Sequence, residues 1–95
     1  MIASFADAAT DDIFNGRNTK AARKIPKELW KTAARKLSAL DYAREFRDLS
    51  SPGNNLEKLK GALTGKYSIR INDQFRIVFK FDRGEASNVV ITDYH

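Results

Sequence analysis

Ninety-five residues make one domain (1–95), long enough for a single hydrophobic core and too short for separate catalytic and binding units. The chain has no cysteine, which excludes a disulfide framework and a thiolate zinc site; it also lacks a signal-peptide opening and any apolar run near the roughly 20 residues of a membrane span, so it reads as soluble, unprocessed and cytoplasmic. The net charge of +5 hides an uneven distribution: residues 1–15 carry −3, whereas eight cations from Arg17 to Lys36 stand against Glu28 alone, and such a basic stretch points to a polyanion, most commonly nucleic acid.

Ile2 to Phe5 is expected as a short strand, followed by a helix that Asp7 caps, that runs through Phe14, and that Gly16 ends. A second helix is expected from Pro26, whose fixed φ suits a first helical position, to about Ala43. Its apolar stripe is Leu29, Trp30, Ala33, Ala34, Leu37 and Leu40, which assigns Trp30 to the core. Lys27, Lys31 and Arg35 occupy the opposite face. They are candidate contacts to an RNA backbone; otherwise they form an ordinary solvated face.

Ser50 to Asn55 carries no hydrophobic period and reads as a loop. Beyond it, Tyr67, Ile69 and Ile71 alternate with polar residues, as do Phe75, Ile77, Phe79 and Phe81. Matching the two apolar faces requires a three-residue turn, Asn72-Asp73-Gln74, which sets Ile69 against Ile77 and Arg70 against Arg76. A two-residue turn at Arg83-Gly84 leads to a third strand, Ser87 to Tyr94. That turn pairs Phe81 with Ala86 and Arg76 with Ile91 and puts Asp93 on the arginine face; a one-residue slip puts Tyr94 there instead. Helices come first and antiparallel sheet second, an α+β order.

Two arginines opposite each other on one sheet face repel, so something anionic should compensate. The candidates are a structural carboxylate, Glu57 or Asp93, or a bound phosphate gripped by two guanidinium forks. Lys80 continues the same face and favours the phosphate. Removing Arg76 is expected to leave the fold intact or to relieve it. One histidine and no acidic pair in the sheet half offer no metal site, and no serine or cysteine nucleophile has its partners. Cleavage of RNA by its own 2′-hydroxyl suits what remains, because the nucleophile belongs to the substrate. Glu57, Lys60, Asp93, Tyr94 and His95 are the groups that could move protons.

Leu59-Lys60-Gly61, Tyr67-Ser68-Ile69-Arg70-Ile71-Asn72, Phe75-Arg76-Ile77-Val78-Phe79 and the final Asp93-Tyr94-His95 together resemble the HigB-type toxins of the RelE-like superfamily. The resemblance implies a microbial-ribonuclease-like fold, two helices packed on a small antiparallel sheet. It implies a toxin that cleaves mRNA on the translating ribosome, inhibits growth, needs no cofactor, and is neutralised by a HigA-like helix-turn-helix antitoxin, with operator DNA bound only through that complex. By position it marks Lys60, Arg76, Asp93, Tyr94 and His95 for cleavage, with Arg70 as a companion. Glu57 stands where several relatives have histidine, which makes it either a substitute base or a salt-bridge partner of the arginines in a weaker toxin. The other function classes are a non-catalytic RNA- or protein-binding module and a ParE-like gyrase poison. Relatives of the latter kind usually lack the terminal motif.

Overall fold

The Asp7 backbone is extended and its carboxylate accepts from the Thr10 amide at 2.9 Å, which starts helix α1, Ala8–Phe14. Gly16, at φ +72°, turns the chain out of it as expected. The computed structural model describes residues 1–93; Tyr94 and His95 lie outside the described residues. Helix α2 is Trp30–Tyr42 and begins later than Pro26. Pro26 has an extended ψ of 129°, a single 3₁₀ turn spans Lys27–Leu29, and the Trp30 indole donates to the Ile25 carbonyl at 2.9 Å, so the ring is anchored before the helix proper begins.

The sheet is an antiparallel meander of four strands: β1 Glu57–Lys58, β2 Lys66–Arg70, β3 Phe75–Asp82 and β4 Glu85–Asp93. Strand β1 was not anticipated; two residues are too short for any periodicity to announce. The expected opening strand consists of two parallel bridges, Ile2 to Ala86 and Phe5 to Val89, along the free edge of β4. Farther along that edge the Ile91 amide donates to the Thr10 hydroxyl of α1 at 2.9 Å.

Between β2 and β3 the register is the expected one, with Ile69 opposite Ile77 and Arg70 opposite Arg76. Asn72 closes the turn by accepting from the Gln74 and Phe75 amides. The β3–β4 turn also pairs Phe81 with Ala86, but the ladder then shifts between Val78 and Lys80. Asn88, at φ +52°, takes up the extra residue as a bulge, a conformation asparagine tolerates better than most side chains. Arg76 therefore faces Thr92 instead of Ile91. Asp93 faces Phe75, off the arginine face, which is the one-residue slip that the sequence leaves as its second register.

One sheet face packs Ile69, Ile77 and Phe79 against Leu37 and Leu40 of α2, while Ala9 and Ile13 of α1 close the same core. Burial of each large aliphatic or aromatic side chain contributes about 1.5–3 kcal/mol. Leu59 and Val78 are buried outside that cluster, so part of the other face is covered as well. Among the described residues no helix is long and apolar enough to cross a membrane.

Candidate active site

Strand alternation and register put Glu57 of β1, Ser68 and Arg70 of β2, Arg76 and Val78 of β3, and Thr92 of β4 on one face, turned away from the main core. Arg76 is 8% exposed. Its guanidinium donates through Nε to the Ser68 hydroxyl at 2.8 Å and through Nη2 to the Asn55 carbonyl at 2.6 Å. Arg70, more exposed, is ion-paired with Asp73 in the turn. Of the alternatives the sequence leaves open, a bridge from Glu57 is not formed: Glu57 is exposed and, among the described residues, pairs with neither arginine. A short edge strand leaves its side chain in water, where an ion pair contributes little. Asp93 accepts from the Gln74 side chain at 2.9 Å.

Lys36, on the apolar side of α2, was missed because a lysine at a stripe position reads as a flank. It is 7% exposed, and its ammonium donates to the carbonyls of Gly53, at 2.9 Å, and of Arg70. Burial lowers its pKa below the ordinary lysine value, and Arg35, Arg70 and Arg76 push in the same direction. Ser68 and Asn55 were missed as well; serine in an alternating strand and asparagine in a loop carry no signal of an arginine partner.

Glu57, Arg70 and Arg76 thus come together in adjacent rows of one face. Lys80 faces Lys66 at the far end of β2, some four residues or about 13 Å from Arg70, and Lys60 follows the edge strand toward that end. Lys27, Lys31 and Arg35 are exposed as expected, with the Lys27 ammonium 5.7 Å from the Trp30 ring centroid. The acidic opening is partly neutralised: Arg17 pairs with Asp11 and Asp12, and Asp12 also accepts from Thr19. The Thr19 hydroxyl and then Arg17 hold the Asp12 carboxyl below its usual range. A cleft of about 460 Å³ at the other end of the sheet is lined by Asp41, Tyr42, Arg44, Arg83 and Gly84 and is remote from Arg76.

A family described as HigB-like toxin, the RelE-like toxin of type II toxin–antitoxin system HigB, matches residues 3–95. The chain belongs to that family. This HigB-like toxin is 36% identical over 92 residues to Toxin HigB-1 of Vibrio cholerae serotype O1, covering 96% of this chain and 95% of that one. It is 37% identical over 60 residues to Endoribonuclease HigB of Proteus vulgaris, covering 63% and 65% of the two chains. Its fold resembles that of a chain in a YoeB–YefM complex from Staphylococcus aureus, with a TM-score of 0.61, 22% identity, and 100% and 98% of the two chains covered. A YoeB dimer from the same organism gives 0.60 at 26% identity, with 99% and 94% covered. The α+β, RelE-like architecture expected from the sequence is the one observed.

Proposed function

We propose that this HigB-like toxin is a ribosome-dependent mRNA endoribonuclease, a single domain that uses the substrate's own 2′-hydroxyl as nucleophile. The observation that carries the reading is the Arg76 guanidinium, 8% exposed and oriented by the Ser68 hydroxyl and the Asn55 carbonyl, with Arg70 opposite it and Lys36 close by. Cations held close together in fixed geometry on one face can grip an anionic phosphate. In the reaction the 2′-oxygen attacks phosphorus and the bond to the 5′-oxygen breaks, leaving a 2′,3′-cyclic phosphate and a 5′-hydroxyl. Arg76, with Arg70, stabilises the extra negative charge of the phosphorane.

Glu57 shares the face of Arg76 as an exposed carboxylate and is the candidate base in place of the family histidine, giving a slower enzyme. Lys60, Asp93, Tyr94 and His95 are assigned to proton transfer and positioning by their place in the sequence, with His95 as acid toward the leaving oxygen. Lys27, Lys31, Arg35 and Lys80 hold the RNA backbone. Among the described residues no three His, Cys, Asp or Glu side chains gather as metal ligands. Membership of a toxin–antitoxin family and a likeness to a toxin titled as complexed with YefM support a proteinaceous antitoxin. Its expected form is a HigA-like helix-turn-helix protein that brings operator DNA to the complex.

Purified protein should cut mRNA programmed on ribosomes and leave the same RNA largely intact when free, because a site this poor in proton-transfer groups needs the ribosome to align the 2′-hydroxyl. A transition-metal chelator that leaves ribosomal magnesium in place should not change the rate. Equal cutting of free RNA would refute ribosome dependence, and uncut programmed mRNA would refute the activity.

A further inference from the structure

We propose that Lys36 is a positioning residue of the anion site, its ammonium fixing the loop that holds Arg76 and adding a third positive charge behind the two arginines. The assignment rests on the ribonuclease reading for its substrate, a phosphodiester. Lys36 stands on α2, yet it spans two other elements: it donates to Gly53 in the loop that also presents the Asn55 carbonyl, and to the Arg70 carbonyl at the end of β2. Asn55 in turn accepts from Arg76 Nη2. One ammonium therefore ties the helix to both neighbours of the Arg76 guanidinium.

A purely structural tie between two carbonyls would be served by a neutral donor such as an amide. A lysine there sets a full charge, 7% exposed, near Arg35, Arg70 and Arg76, and among the described residues no carboxylate is within ion-pair distance of it. Asp73 is paired with Arg70 and Glu57 is exposed. A buried ammonium with no carboxylate beside it is costly by itself and is favoured once an anionic phosphodiester comes near. It also joins two features that look separate in the sequence. Arg35 belongs to the exposed ridge of α2 and acts on Lys36, which in turn neighbours Arg70 and Arg76, so the ridge and the sheet face form one positive field.

The absence of native cysteine permits a chemical test. Lys36→Cys is alkylated in denaturant and refolded. Bromoethylamine restores the length and charge of lysine, and iodoacetamide restores a donor of similar length without charge. Melting curves verify folding. Inorganic phosphate is then titrated while the Arg76 Nε–H resonance is followed. The aminoethyl protein should bind phosphate within about threefold of the native protein, and the carbamidomethyl protein, equally folded, about tenfold more weakly. Equal affinity in the two adducts would reduce Lys36 to a structural tie and overturn the proposal, as would native affinity in the unalkylated variant. If phosphate binding follows the charge while programmed ribosomes remain uncut, the ribonuclease reading fails and the placement of Lys36 in the anion site stands.

Discussion

Two effects of opposite sign meet at Arg76, and their sizes decide which prevails. Cross-strand repulsion from Arg70 is worth about 0.2–1 kcal/mol, so removing one arginine from an otherwise idle pair would stabilise the hairpin. The side chain is not idle: it satisfies the buried Ser68 hydroxyl and the Asn55 carbonyl, and leaving such groups unpaired costs about 1–3 kcal/mol. Arg76→Ala should therefore lower stability by about 1–2 kcal/mol, contrary to the relief expected when only the facing arginines are considered, and should also abolish RNA cleavage. Arg76→Lys keeps the charge but loses the fork, and should recover little of the activity. Denaturant melts of both variants, with cleavage measured where each is still folded, would test this. An Arg76→Ala protein as stable as its parent would mean that the two oxygens find water without loss.

At the scale of the elements, the hairpin β2–β3 was legible because alternation has a period of two and only one turn length keeps isoleucine off arginine. The strand after it was legible only as far as Ala86. Asn88 inserts its extra residue by taking a positive φ, and no pattern of polar and apolar residues records that, so the sequence leaves the face of Asp93 open between two registers. The same limit hid Lys36, whose burial depends on where two distant carbonyls end up, and Thr10, which reads as an unremarked polar residue in a short helix. Thr10 is fully buried, and its hydroxyl receives the Ile91 amide beyond the stretch of β4 that the opening segment covers. Thr10→Val keeps the shape and removes the acceptor. It should cost about 1–3 kcal/mol and speed amide exchange at Ile91 by loosening the sheet edge, which hydrogen-exchange NMR would read. An unchanged exchange rate at Ile91 would show that water replaces the hydroxyl.

For the molecule as a whole, the charge that matters is the part left unpaired by its own neighbours. The acidic opening is partly quenched by Arg17, and Arg47 pairs with Glu45, whereas Lys31 and Arg35 stand exposed with no carboxylate paired to them among the described residues. Arg35 lies close enough to act on Lys36, Lys31 stands one turn before Arg35 on α2, and an electrostatic reach of roughly 8–10 Å at moderate salt suits both to guiding a backbone and not to reading bases. The variant with both Lys31→Ala and Arg35→Ala should fold normally, since both side chains are exposed and alanine suits a helix. Each phosphate contact on a single strand contributes about 0.7 to the slope of log affinity against log salt, so losing two should flatten that slope by about 1.4. Filter binding of one single-stranded RNA over a range of potassium chloride would measure it. The loss should be uniform across RNA sequences, because charge on a ridge positions a chain without selecting its bases. A slope identical to that of the parent would assign the ridge to solvent alone and leave the arginine face to capture RNA unaided.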